Sequence, residues 1–397
     1  MNDALLSIDE AIDLVLSHVA PLDSEDVGLG AAAGRVTAEQ ARSVIDLPPF
    51  PSSAMDGFAL RAEDAPGTLP IVARVAAGRP AARALAPGEA MAIATGGVVP
   101  DGADSVVPIE LVEERTATVV VRGDVAEGDN IRQRGSDLHA GDVVVEPGVR
   151  LGPAHLGALA AAGVTRLRCA RSPRVAVLVT GTELRAPGER LAPGQIYDAN
   201  GFILEAQLRS AGAAVERLPA VDDDAAATSA AIERGLAADV LVTTGGVSVG
   251  VYDLVRAAEA ELGVEEIFWR VAMQPGKPVA FGVRGPTLVF GLPGNPVSSL
   301  VGFELFVRPA LLALQGFAEP RPAFRPGRLA TAARRLASRD ALLRARTRVG
   351  DDALLLEPLS GQQSHMIAQA AAADALVLVP QGEGELAAGS VVSYLSL

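Results

Sequence analysis

Asp239-Val-Leu-Val-Thr-Thr-Gly-Gly-Val-Ser-Val-Gly250 and Thr287-Leu-Val-Phe-Gly-Leu-Pro-Gly-Asn-Pro-Val-Ser-Ser299 are two short apolar runs that each end in a glycine-rich turn. Runs at 240–242 and 287–290, too short for helices and bounded by glycine, read as strands buried on both faces. A third stretch, Val271-Ala-Met-Gln-Pro-Gly-Lys-Pro278, lies between them and carries Lys277, the only lysine among 34 basic residues. Every other cation is an arginine, so this turn is read as requiring a compact ammonium that a planar guanidinium does not replace. Chance survival of one lysine is the plainer alternative.

Working outward, the pattern from 173 alternates strand and helix. A strand is expected at 174–180, helices at 200–211, 222–236 and 253–262, and a long apolar helix after Asn295-Pro296 that Pro309 must kink or restart. Such alternation predicts a mostly parallel sheet with ligands at the C-terminal ends of its strands. Before it, 52–137 has short β-rich runs between Gly/Pro/Asp turns and reads as an inserted small β domain. A capping box at Ser7-Ile-Asp-Glu10 starts a helix that ends before Pro21, and 34–41 is read as a second helical piece. Pro153 opens another helix closed by Gly163. After the proline-rich 320–326, short strands at 342–348, 354–358, 375–380 and 390–395 read as a β-barrel or sandwich. The expected units are 1–46 with 138–172, 47–137, 173–316 and 317–397.

Composition narrows the function. The net charge of −14 and an aromatic content of 4% argue against a nucleic-acid or anionic-membrane binder. One cysteine, Cys169, excludes an intrachain disulfide and a cysteine-rich metal site. No leader is read at the N-terminus and no uninterrupted apolar run reaches the ~18 residues of a membrane span, so a cytoplasmic protein is expected.

Three turns at expected strand ends, Thr180-Gly-Thr-Glu183, 243–250 and Gly291-Leu-Pro-Gly-Asn-Pro296, let backbone approach an anion and lead into helix N-termini. Their Gly181, Gly245, Gly246, Ser248, Gly294 and Asn295, with Asp198 and Asn200, are the expected contacts for a phosphate-bearing ligand. No Walker A loop is present. Glu183, Asp198, Asp222 and Asp253 crowd the same edge; helix capping explains three of them equally well, while carboxylates beside a phosphate also suit Mg²⁺. Asp56, Thr95, Arg132 and Arg134 are weaker signals, and from spacing alone a solvated edge strand ranks above an anion contact for the two arginines.

The motifs Ser53-Ala-Met-Asp-Gly57, Asn130-Ile-Arg-Gln-Arg-Gly135, Thr180-Gly-Thr-Glu-Leu184, Gln195-Ile-Tyr-Asp-Ala-Asn200, Thr244-Gly-Gly-Val-Ser-Val-Gly250, Pro275-Gly-Lys-Pro278 and Gly291-Leu-Pro-Gly-Asn-Pro296 resemble, in order and spacing, the bacterial MoeA family and the E domain of gephyrin. The resemblance covers nearly the whole chain. It implies an elongated homodimer of four-domain subunits with a molybdopterin-binding α/β domain and a C-terminal β-barrel. The activity implied is transfer of molybdenum from molybdate into adenylylated molybdopterin, with release of AMP and help from Mg²⁺. Carried over by position, Asp56, Asp222, Asp253 and Lys277 are the catalytic group and Glu183, Asp222 and Asp253 the metal ligands. Thr95, Arg134, Ser248, Arg344 and Ser364 are further contacts.

Many members have a lysine where this chain has Gln274. Possible protein partners under the same resemblance are the molybdopterin adenylyltransferase and molybdoenzyme-loading proteins. A tungstate-loading paralogue and a gephyrin-like scaffold without catalysis are the alternatives.

Overall fold

The computed structural model describes residues 5–220, 224–245, 254–350 and 353–397. At its centre is a six-stranded sheet in the order Ala214–Arg217, Arg174–Val179, Val240–Thr244, Thr287–Leu292, Ala280–Arg284, Glu265–Trp269. The first four strands are parallel and the last two are antiparallel. Side chains alternate between two cores, as the two-residue strand period demands. Val175, Val177, Val179, Val240, Val242, Leu288 and Phe290 face one core; Ala176, Leu178, Leu241 and Val289 face the other.

The first core is covered by the helices Asn200–Ser210 and Pro296–Leu314, the second by Ala225–Gly235 and Leu254–Glu261. The helix Pro296–Leu314 is long and apolar enough to cross a membrane, but 78% of that stretch is buried within the fold, where it serves as the core helix. Its turns widen to a π-helix over Phe303–Val307, next to Pro309, which has no N–H to give the ladder.

The opening helix Ile8–Ser17 has the expected capping box, Ser7 with Glu10. Its apolar face, Ile8, Ala11, Ile12 and Val15, packs into the central core rather than with the rest of 1–46. The following chain contributes to a separate hydrophobic cluster. Ser24–Gly28 pairs with Arg166–Ala170, Ala41–Arg42 pairs with Val143–Val145, and the helix Pro153–Ala161 contributes Leu159 to the same core. The helix expected at 34–41 is absent. Gly34 takes a left-handed φ of 74°, and Val36 and Thr37 then make β-bridges to Arg150 and Cys169.

Between these halves sits the small β domain, a six-stranded sheet ordered Ser105–Pro108, Gly57–Leu60, Ala90–Ile93, Gly67–Val75, Thr118–Val121, Val112–Glu114. At the C-terminus, Arg325–Leu329, Leu354–Pro358, Asp340–Val349, Ala375–Val379 and Val391–Ser396 pair in a closed ring, a five-stranded barrel. Met273–Gln274 leaves the central domain to pair in parallel with Asp340 and Ala341 of that barrel.

Candidate active site

Two cavities adjoin at the C-terminal edge of the parallel strands. The larger, about 590 Å³, is lined by Gly181, Glu183, Asp198, Asn200, Gly245 and Gly294 among others. The smaller, about 450 Å³, is lined by Gln274, Lys277, Ser298, Arg339, Gln362 and Ser364 among others. Pro278, Pro293, Asn295 and His365 line both, so the two share a wall.

The floor of the larger cavity is built from backbone. Gly245 has φ 94°, and a Cβ there would lie 2.5 Å from the Thr180 carbonyl oxygen, so the turns after two strands close on each other only with glycine at 245. Asn200 ties three elements. It is buried, and its Nδ2 donates to Thr244 Oγ1 and to the Gly294 carbonyl, both at 2.8 Å.

Asp198 accepts the Gly201 N–H at 2.8 Å and pairs with Arg217 at 2.6 Å, so its carboxylate is committed to the start of the helix. Glu183 is exposed and has no ion-pair partner among the described residues; its carboxylate folds over Gly181, where a Cβ would meet Oε2 at 2.7 Å. Asp222, Asp253, Gly246 and Ser248 fall outside the described residues. The helix expected from Asp222 begins at Ala225, and Asp224 caps it, accepting the Ala227 N–H at 2.7 Å.

The smaller cavity is cationic. Lys277 and Arg339 both line it, and neither has a carboxylate partner among the described residues. Arg339 was not singled out in the sequence. It sits among other arginines, and only the pairing of Met273–Gln274 with the barrel strand brings it beside the lysine turn. It adds a second positive charge to the cavity that Gln274 and Lys277 also line. His365, also unassigned from sequence, stands on the shared wall.

Ser364 lines the smaller cavity, and its carbonyl accepts the Val297 N–H at 3.1 Å, joining barrel to helix start. Arg344 lines neither cavity. It is 1% exposed, and its guanidinium is spent on the barrel's own loop. Burial holds its pKa below the usual arginine range.

Asp56, Thr95, Arg132 and Arg134 line neither cavity. They gather at one end of the small β domain. Asp56 precedes the strand Gly57–Leu60 and Thr95 follows its neighbour Ala90–Ile93, with Gly57 opposite Ile93. Gly57 is required there, because a Cβ would lie 2.0 Å from the Val107 carbonyl oxygen. The Thr95 N–H and, less strongly, its hydroxyl hold the Asp56 carboxyl below the ordinary range. Arg134 donates to Asp46 Oδ2 at 2.6 Å, while Arg132 is exposed on a two-residue strand paired with Ser52–Ser53.

Comparison with known proteins agrees over the full length. Residues 6–163 match the MoeA N-terminal region (domain I and II), 176–313 the family described as "Probable molybdopterin binding domain", and 318–397 the MoeA C-terminal region (domain IV). The chain is 38% identical over 387 residues to molybdopterin molybdenumtransferase 2 of Mycobacterium tuberculosis, covering 94% of each. It is 38% identical over 317 residues to the molybdopterin molybdenumtransferase of Haemophilus influenzae, covering 79% of this chain and 78% of that one. A crystal structure of a molybdopterin biosynthesis MoeA protein from Pyrococcus horikoshii superposes with a TM-score of 0.79 at 32% identity, covering 99% of both chains. With fold and relatives in agreement from end to end, the chain belongs to the MoeA family.

Proposed function

We propose that this chain is a molybdopterin molybdenumtransferase that takes adenylylated molybdopterin and molybdate and releases molybdenum cofactor and AMP. The observation that carries this reading is the pair of adjoining cavities with different chemistry. Glycine turns and a helix start suit the phosphates of a pterin nucleotide in the larger one. Lys277 and Arg339, without carboxylate partners among the described residues, suit a tetrahedral dianion in the smaller one, offsetting locally the charge of a chain that is −14 overall. The shared wall at Pro278, Pro293, Asn295 and His365 supports binding of the two substrates side by side.

Asn200 and Gly245 fix the floor, and Asn295 borders both cavities. No residue need form a covalent intermediate, since an oxygen of molybdate or water can attack the adenylyl phosphorus, breaking the P–O–P bond so that AMP leaves carrying that oxygen and molybdopterin keeps its own phosphate, while the two cations steady the developing charge. Among the described residues, no three acidic, histidine or cysteine side chains are grouped to hold a metal. Mg²⁺ nonetheless fits the donor set, because nucleotide sites bind it through one or two carboxylates with phosphate oxygens and water; Glu183, which lines the larger cavity, would be one ligand, and Asp222 and Asp253 are proposed as the others. Bound there, it would polarise the phosphoanhydride.

The reading includes a cytoplasmic homodimer. Asp56, Thr95, Arg132 and Arg134 lie apart from the cavities of their own chain, which supports their completing the site of a second copy. The test is turnover of purified protein with adenylylated molybdopterin, molybdate and Mg²⁺. Stoichiometric AMP and active cofactor are expected; AMP formation indifferent to molybdate and to Lys277 would overturn the assignment.

A further inference from the structure

Arg344 is the largest fully buried side chain among the described residues, at 1% exposure, and no carboxylate lies within ion-pair distance of it there. Burying a cation is costly unless its donors are all met. Here they are met by one loop. Nη1 donates to the Met366 carbonyl at 2.9 Å, and Nη2 to those of Gly361 at 2.7 Å and Gln363 at 3.2 Å. The Gln362 side chain locks the same place from the other direction. Its Oε1 accepts the Arg344 N–H at 3.0 Å, and its Nε2 donates to the carbonyls of Arg344 at 2.9 Å and Leu359 at 2.8 Å.

This is the loop whose Gln362, Gln363, Ser364 and His365 line the cavity beside Lys277 and Arg339. In a trans peptide the N–H points opposite to the preceding carbonyl. Drawing the Gly361 and Gln363 carbonyls into the barrel therefore turns the N–H groups of Gln362 and Ser364 away from it. Neither has a protein acceptor among the described residues. Two N–H groups, one residue apart and turned the same way, can form part of a concavity for anions. A cation hydrogen-bonded to the carbonyl end of each peptide also polarises it, making its N–H a stronger donor.

We propose that Arg344 is a positioning residue: it never touches substrate, but holds the 361–366 loop so that the N–H groups of Gln362 and Ser364 cradle a tetrahedral oxyanion of the molybdate type. The proposal rests on reading the smaller cavity as the oxyanion site. It assigns half of that site to backbone, organised by a charge buried behind it.

The test uses the full chain, with tungstate as the oxyanion probe and AMP as the probe of the neighbouring cavity, both followed by calorimetry. Arg344→Lys keeps the charge but loses the fork. It should weaken tungstate binding about tenfold or more, as expected for lost hydrogen bonds to a charged group, while AMP affinity stays within about twofold. In the wild type, saturating tungstate should slow hydrogen exchange in peptides spanning 361–366, a measurement that does not depend on the variant folding. Wild-type tungstate affinity in a folded Arg344→Lys, or no added protection of 361–366 when tungstate binds, overturns this proposal alone. Failure of the wild type to bind tungstate or molybdate overturns it together with the oxyanion reading of the cavity.

Discussion

Asp56 Oδ1 accepts two hydrogen bonds from a single residue, the Thr95 N–H at 2.7 Å and the Thr95 hydroxyl at 3.0 Å. Both bonds favour the charged carboxylate and lower its pKa, so Asp56 remains ionised under mildly acidic conditions. A depressed carboxyl contributes its favourable interaction above the unfolded pKa and loses it as pH falls through the folded one. If ionised Asp56 is needed for turnover, the acid limb of the pH–rate profile lies below the ordinary aspartate range. Thr95→Val removes the hydroxyl bond and should move that limb upward. An unmoved limb would separate Asp56 from the rate.

Lys277 and Arg339 should contribute unequally. Lys277→Ala is expected to abolish molybdenum insertion with the fold intact, and Lys277→Arg to restore it only in part, because a guanidinium is broader and fixed in plane. Arg339→Ala should raise the molybdate concentration needed for half-maximal rate more than it lowers the maximal rate. Molybdate titrations at saturating pterin nucleotide check all three variants. Wild-type behaviour of Lys277→Arg at limiting molybdate would remove the special role of the ammonium.

The acidic run at 222–224 contains one residue whose structural duty is known. Asp224 caps the helix Ala225–Gly235, so Asp224→Ala should cost about 1 kcal/mol in stability and leave AMP release intact. Asp222→Asn and Asp253→Asn should do the reverse: unchanged thermal stability, slower AMP release and a higher Mg²⁺ requirement. Near-normal release by both Asn variants at low Mg²⁺ would dismiss them as metal ligands.

Complementation tests the shared site. A heterodimer of an Asp56→Asn subunit with a Lys277→Ala subunit retains one site with both residues native if each site draws on two chains. About half of one wild-type site pair, or less, should reappear on mixing. Heterodimers shown to form but remaining inactive would confine each site to one chain.

Much of the central sheet was legible because its strands are short apolar runs closed by glycine, and Val240–Thr244 and Thr287–Leu292 lie where that pattern puts them. The antiparallel pair Glu265–Trp269 and Ala280–Arg284 was not. Its outer strand begins with two exposed glutamates, and such an edge lacks the continuous apolar signal. Among three consecutive aspartates, only tertiary packing decides which one caps. The resemblance named Arg344 as a substrate contact, but arginine is so seldom buried that nothing in the sequence announces a guanidinium facing carbonyls inside a barrel. Arg339 carries no local mark at all; its place follows from one short strand pairing.

That pairing has a bearing on how the protein can be taken apart. Met273–Gln274 belongs by sequence to the central domain but by hydrogen bonding to the barrel, at Asp340 and Ala341, and it leads straight into the lysine turn. The barrel is therefore not a detachable module. A truncated chain ending near 317 would keep every strand of the six-stranded sheet, yet would leave the segment before Lys277 without its hydrogen-bonding neighbour and Val297 without its Ser364 acceptor. Transplanting this barrel between relatives would likewise exchange part of the anion site, so chimaeras cut at that boundary should carry over the donor barrel's oxyanion preference.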